Sequence, residues 1–462
     1  MRYFSAILFF LIASLPYISM LGTNKDTAES VHGISETISI LSPHRREVRL
    51  EYSRGFRKWM NTNYRRNVNI QWLDVGGTSK ILKDLESRFA TSPDSPGVDI
   101  LFGGGVAPYY RAIKQGWLTP VSIHKETLES IPPLCAGTPV YDQNQQWFGV
   151  ALSEFGILYN RPIIERMGMP IPSSWEILGR PEFTSWIASG DPRSSGSVHM
   201  CYEIILQAYG FKKGWNLITR ICANVRRFGE GGGVAPREVA SGEVAAGMVI
   251  DQYAQTVIDS IGNDALVFIL PENATLISAD PIAMLKGAPS PELSRLFIEY
   301  VLSKDGQRLL YQSAGNNGQR YSLHRLPVRK SLYEEPQAPK SQPYKYHGGF
   351  QYDTGMGSRR WRIVNDLIGT WLIDAHRDLV IAWKSIIRSG MNTNSVQQLC
   401  AVPITEIQME KLLQHWNDPR YRLKTVNHWA SEAKMRYQQL EIQNNLNNQD
   451  GKDNNQDTKH NN

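Results

Sequence analysis

A chain of 462 residues, 41% hydrophobic and 20% charged, has room for two globular domains plus extensions. Its formal charge of +6 is small for that length and sits in short clusters such as His44-Arg45-Arg46 and Arg226-Arg227, so no basic stripe marks it as a nucleic-acid binder. Four cysteines, Cys135, Cys201, Cys222 and Cys400, make neither a disulfide framework nor a metal-ligand spacing. Cys201 and Cys222 fall on neighbouring predicted helices, as a pair or, as the composition favours, as two separate buried thiols.

Arg2 followed by the apolar run from Tyr3 to Gly22 has the layout of a signal peptide. Ile18-Ser19-Met20-Leu21-Gly22 lacks a small-x-small cleavage site, so residues 1–22 are expected to act as a signal peptide or as an uncleaved anchor. Either sends the rest of the chain out of the cytoplasm, in the second case tethered to the membrane. No cysteine nearby could carry a lipid.

After a polar linker, Thr37–Ser42 reads as a strand, followed by a helix through Phe56 and Trp59. Val68–Leu73 alternates as a second strand, Ser79–Phe89 as a second helix, and Val98–Phe102 as a third strand ending in Gly103-Gly104-Gly105. Strands alternating with helices predict an α/β domain with a parallel sheet, whose ligands sit beyond the carboxyl ends of the strands. Those ends are Ser42-Pro43-His44 and Gly103-Gly104-Gly105, which makes Ser42, His44, Gly103 and Gly104 candidate ligand contacts. A plain tight turn explains the glycines equally well.

Trp147–Asn160 contains two apolar strand-like pieces around Ser153-Glu154. Asp191-Pro192-Arg193-Ser194-Ser195-Gly196-Ser197 is a polar, small-residue turn that runs straight into a helix with the stripe Cys201, Ile204, Ile205 and Ala208. The first turn of such a helix offers unpaired N–H groups and the positive end of its dipole. Ser194, Ser195 and Ser197 add hydroxyls, and Gly196 admits a close ligand. Arg193 could pair with phosphate or carboxylate in bidentate fashion. The same serines would also serve as simple helix caps, and Arg193 as a surface charge. A helix over 213–228, the turn Glu230-Gly231-Gly232-Gly233, a short helix over 236–241, and strands over 245–251 and 266–270 follow. Ser290-Pro291-Glu292 opens a well-marked helix. Gly348-Gly349, Gly355 and Gly357 suggest a loop, Trp361–Ile387 two helices broken near Gly369, and the Asn-rich stretch 442–462 a disordered tail.

Four segments together resemble type II periplasmic solute-binding proteins of ABC importers, in the branch of ferric-iron, phosphonate and sugar-phosphate receptors. They are Ile40-Leu41-Ser42-Pro43-His44; Phe155-Gly156-Ile157-Leu158-Tyr159-Asn160-Arg161-Pro162; Ser241-Gly242-Glu243-Val244-Ala245-Ala246-Gly247 with Asp251-Gln252-Tyr253-Ala254; and Lys286-Gly287-Ala288-Pro289-Ser290-Pro291-Glu292 through Asp305-Gly306-Gln307. The resemblance covers about residues 36–335. It implies an α/β fold of two lobes joined by two hinge strands. Lobe I would comprise 36–154 and 266–345, and lobe II 155–265. A C-terminal helical extension over 346–441 lies outside that fold.

The resemblance further implies a binding protein, not an enzyme, that closes on its ligand as a monomer, needs no cofactor and delivers the ligand to an ABC-transporter permease in the membrane. In the iron-binding branch two adjacent tyrosines help to hold the metal. The matching place, Asp251-Gln252-Tyr253, offers one, and Tyr253 could instead be packed near the hinge. A small anion such as a sugar phosphate, phosphonate or carboxylate is therefore the expected ligand, with Asp251 accepting from its hydroxyls and no resident metal. Ferric iron, or a sensory role in which the C-terminal helices dock a partner, are the alternatives.

Overall fold

A computed structural model of the protein describes the backbone of residues 35–457, positions 263, 347 and 349 excepted, and side chains as far as residue 446. The proposed signal or anchor segment, 1–22, and the last five positions of the proposed tail lie outside the described residues. Among the described residues no helix is long and apolar enough to cross a membrane.

The first half of lobe I follows the sequence pattern. Strands β1 (Glu36–Leu41), β2 (Val68–Leu73) and β3 (Ile100–Phe102) pair in parallel, with Ile38 opposite Ile70 and Ile40 opposite Ile100. Helices α1 (Arg46–Tyr64), α2 (Thr78–Thr91) and α3 (Ala107–Lys114) connect them and continue the chain. The apolar stripe of α2, Ile81, Leu82, Leu85 and Phe89, is buried.

Strand β4 (Phe148–Asn160) is a single strand of 13 residues rather than two pieces, buried along nearly its whole length. Polar Ser153 and Glu154 interrupt the hydrophobic pattern but not the ladder, because they sit where β4 passes from one lobe to the other. Lobe II is built on its second half. Strands β5 (Ile187–Gly190), β6 (Val225–Gly229), β7 (Ala246–Ile250) and β8 (Leu266–Ile269) complete it, with β7 and β8 antiparallel to β4 and Ile250 opposite Phe155. Helices α4 (Gly196–Ala208) and α5 (Phe211–Asn224) lie between β5 and β6. The helix expected over 213–228 thus ends at Asn224, and its last residues form β6, paired in parallel with β5. Helices α6 (Val234–Ala240) and α7 (Asp251–Ile261) complete the lobe.

The chain returns to lobe I through strand β9 (Ile277–Leu285), which the sequence reading did not predict. It is fully buried and lies between β3 and β4, antiparallel to both. Proline within a run argues against a central strand. Here Pro281 falls at a register shift, where the ladder lacks the N–H that proline cannot supply. The sheet order is β2-β1-β3-β9-β4-β7-β5-β6, so the sheet is mixed, not wholly parallel. Helix α8 (Pro291–Leu302) then packs on lobe I.

The remaining helices are α9 (Thr354–Ile368), α10 (His376–Arg388), α11 (Thr393–Leu399), α12 (Glu406–Leu413) and α13 (Pro419–Asp457), with a π-helical turn, Gly369–Asp374, joining α9 to α10. Gly355 and Gly357 lie inside α9 and not in a loop; a Cβ on Gly357 would stand 2.2 Å from the Tyr352 hydroxyl. The extension shares one core with lobe II. Trp371, Trp383 and Ile386 pack with Trp175, Trp215 and Ile218, and Trp383 Nε1 donates to Asn224 Oδ1 at 2.8 Å. Where a disordered tail was expected from 442, α13 continues. Asn444 is fully buried, and its Oδ1 accepts from the hydroxyls of Ser389 and Ser395 at 3.2 and 2.9 Å. All four cysteines are free and buried; Cys201 and Cys222 form no disulfide.

Candidate functional site

Between the lobes lies a cavity of about 320 Å³. Five helices begin at its wall: α1 at Arg45 and Val48, α2 at Gly77 and Thr78, α3 at Val106 and Ala107, α4 at Ser195, Gly196 and Ser197, and α7 at Gln252 and Tyr253. Each start carries orphan N–H groups and partial positive charge. The lobes touch across the cavity: a Cβ on Gly77 would meet the Ser194 carbonyl oxygen at 2.6 Å, and one on Gly196 the Thr78 hydroxyl at 3.0 Å.

Ser195 caps α4. Its Oγ accepts from Val198 N at 3.4 Å and stands 3.2 Å from Ser197 Oγ, so capping and facing the cavity are combined in one residue. Ser194 Oγ donates to the Asp191 carbonyl at 3.0 Å and accepts from Gly231 N at 3.2 Å, which holds the Gly231-Gly232 turn at the cavity wall. Gly232 has no room for a side chain, since a Cβ would lie 2.5 Å from Ser197 Oγ.

Gly103, Gly104 and Gly105 all take positive φ, at 91°, 96° and 73°. This left-handed run suits glycine alone and curls the backbone until Gly105 N donates to Asp280 Oδ1 at 3.2 Å. Gly104 lines the cavity, whereas Gly103 lies behind it, with His44 filling the space a Cβ would need at 2.6 Å.

The lobe I floor is a buried polar cluster. His44 Nε2 is 2.8 Å from Asp280 Oδ2 and 2.9 Å from Arg325 Nη1, and Arg325 Nη2 also donates to Asp280 Oδ2. Ser42 Oγ accepts from His44 N at 3.2 Å and lies 3.0 Å from His44 Nδ1. Burial holds the imidazole below its ordinary value, against the opposing pull of Asp280. Nε2 thus faces both the Asp280 carboxylate and the Arg325 guanidinium, and Nδ1 faces the Ser42 hydroxyl. Burial alone would raise the Asp280 carboxyl, but Arg325 and His44 hold it far below the usual carboxylate range. Asp280 and Arg325 neutralise each other. Ser42 does not line the cavity; it fixes the His44 ring.

Arg45 is the cavity cation without a carboxylate in ion-pair range among the described residues, and its guanidinium lies 4.8 Å over the Tyr253 ring. Tyr253 lines the cavity and Asp251 does not. Asp251 is buried next to Glu154; burial, then the Glu154 charge, raises its carboxyl well above the ordinary value, and its Oδ1 has no hydrogen-bond partner among the described residues. Burial also raises Glu154, against the effect of Ser341, whose hydroxyl donates to its Oε1 at 2.5 Å. Arg193 is placed outside the cavity. It is clamped between Asp191 and Asp374, with Nη2 distances of 2.7 and 2.8 Å, and lies against the π-turn at Gly369.

The structure therefore brings His44, Gly104, Ser194, Ser195, Gly196, Ser197 and Tyr253 to one cavity, and sets Ser42 and Gly103 behind it, Asp251 apart from its wall and Arg193 at its flank. Sequence reasoning missed Thr78, Asp280, Arg325 and Trp361. Asp280 had a signal, a single carboxylate within a nine-residue apolar run. Arg325 and Trp361 had none, since only the fold brings them to the cavity. Among the described residues, no group of three His, Cys, Asp or Glu side chains is placed to hold a metal ion.

Two lobes joined through a shared strand, with the cavity between them, define the class of type II periplasmic binding folds. Residues 95–341 match the family model of bacterial extracellular solute-binding proteins, and the chain belongs to that family. The phosphoglycerate transport regulatory protein PgtC of Salmonella typhimurium is 28% identical over 237 residues, 51% of this chain. The match spans only 56% of that relative's length. The periplasmic binding protein AfuA of Actinobacillus pleuropneumoniae, solved with fructose 6-phosphate bound, superposes with a TM-score of 0.58 at 19% identity, covering 74% of this chain and 99% of its own. Iron-bound HitA of Pseudomonas aeruginosa gives the same TM-score and identity, over 72% and 99%. These likenesses place the fold among periplasmic binding proteins that hold either kind of ligand.

Proposed function

We propose that this protein is a periplasmic receptor that encloses a small anionic ligand, a sugar phosphate, phosphonate or carboxylate, between its lobes and delivers it to an ABC-transporter permease. The convergence of five helix N-termini on one cavity carries the reading. Hydroxyls of Thr78, Ser195 and Ser197, the unpaired Arg45 and the N–H groups of the glycine turns complement an oxyanion. The cavity's own carboxylate, Asp280, is already neutralised by Arg325. Val48, Phe155, Met200 and Trp361 give the carbon body of such a ligand an apolar wall. The ligand named for PgtC supports the same class.

Ferric iron is the competing ligand, as in HitA and as the name of the iron uptake protein A1 of Synechocystis, 24% identical over 267 residues, suggests. The cavity offers that metal Tyr253 and His44, with His44 already bonded to Asp280. A ligand that binds only the folded state raises the melting temperature by mass action. In a thermal-shift panel of sugar phosphates, phosphonates, dicarboxylates and ferric iron, the expected result is a rise with an organic anion. A rise with ferric iron alone overturns the reading.

A further inference from the structure

The family match ends at residue 341, and about a quarter of this chain has no counterpart in the superposed binding proteins. Yet the extension reaches the ligand cavity. Helix α9 lies along α4, the helix whose start lines that cavity, and is bonded to it at three successive turns. His199 Nδ1 is 2.6 Å from Asn365 Oδ1, Arg360 Nη2 is 2.7 Å from Glu203 Oε1, and Gln207 Nε2 donates to the Asp353 carbonyl at 3.1 Å. These α4 residues recur every four positions, one face of the helix. Burial lowers the His199 imidazole to about 3, so this contact stays uncharged at any physiological pH.

Trp361 is set by the same helix. Its ring lies 3.6 Å from that of His199, and its Cη2 is 3.6 Å from where a Gly196 Cβ would stand. It is 7% exposed, forms part of the cavity wall, and its Nε1–H has no partner among the described residues. Three residues earlier, Ser358 Oγ reaches the Ala107 carbonyl at 3.5 Å, at the start of α3 on the opposite lobe.

We infer that the C-terminal extension is a third wall of the ligand site, and that Trp361 is a specificity-determining residue. Its indole limits the size of the ligand's carbon body. Because α9 is fixed to α4, the indole travels with lobe II and is in place only when the lobes close. The inference rests on the anionic-ligand reading and goes beyond it, since it gives a part outside the matched family segment a direct role in ligand choice.

The test is titration of the full-length protein, wild type and the variants Trp361→Ala and Trp361→Phe, with phosphate monoesters graded from phosphoglycerate to fructose 6-phosphate. Trp361→Ala is expected to weaken the smaller ester at least tenfold and to shift the ratio of affinities at least fivefold toward the larger. Trp361→Phe should keep part of the wall and fall between. Trp361 is the tryptophan at the cavity among the described residues, so the ligand-dependent change in tryptophan emission should vanish in Trp361→Phe, a readout that holds even where the alanine variant folds poorly. Affinity ratios within twofold of wild type in both variants, or an unchanged emission response, overturn the inference. A wild-type protein that binds none of the esters instead overturns the reading on which it rests.

Discussion

Replacing Ser195 by aspartate puts a negative charge at the point where the cavity is most suited to an anion. Aspartate caps a helix as well as serine does and favours the dipole, so Val198 N keeps its acceptor and α4 its start. An anion held by these N–H groups would lie about 4 Å from the new carboxylate. At an effective dielectric of about 20, two unit charges at that distance repel by about 4 kcal/mol, a loss of about a thousandfold in Kd. Ser195→Asn supplies the same bulk and cap without charge and should bind within a few-fold of wild type. Calorimetric titration with a phosphate monoester at low salt reads both, with the melting temperature as a check on the fold. If Ser195→Asp binds within threefold of wild type while remaining folded, the α4 N-terminus does not hold the anion.

Asp280→Asn leaves the buried Arg325 guanidinium without its counter-charge and should cost about 3–5 kcal/mol in denaturant unfolding at pH 7. Because the Asp280 carboxyl is held low when folded, its stabilisation is present above pH about 4 and fades in acid, so the two unfolding curves should converge as pH falls. Asp251 has the opposite sign: its raised carboxyl means the folded state holds the proton longer, and stability drains as pH rises from about 4. Asp251→Asn should therefore gain melting temperature over wild type as pH rises above about 4, and a pH-independent difference would refute this. Gly103→Ala imposes left-handed strain of about 1–2 kcal/mol and drives a methyl into the His44 ring, so an unchanged urea midpoint would count against the geometry. Chain termination after residue 345 strips Trp371 and Trp383 from the lobe II core and should leave an aggregating product; a monodisperse, cooperatively melting fragment would show the extension to be dispensable for folding.

Much of the fold was legible because lobe I begins with strong periodicity: the stripe of α2 and the alternation of Val68–Leu73 each point to one element and one buried face. Strand β9 was not, because Pro281 mimics a break and the bulge that accommodates it exists only in the paired sheet. The serine-rich start of α4 showed itself by composition. Arg193, equally conspicuous beside it, is taken up by Asp191 and by Asp374, which lies 181 residues away. Trp361 reads from sequence as an ordinary core residue of a helix stripe, and only the docking of α9 on α4 turns it toward the cavity.

The way the chain threads its two lobes also governs when either can be finished. Strand β9, nearly two hundred residues after β3, is its immediate neighbour in the sheet, so the first lobe stays open until residues beyond 285 are available. The middle lobe waits longer still, for tryptophans at 371, 383, 416 and 429 that complete its interior. A polypeptide of this design acquires its stable core only once nearly its full length is free. Contacts so distant in sequence make folding slow, and both lobes depend on segments that are joined to them only late along the chain.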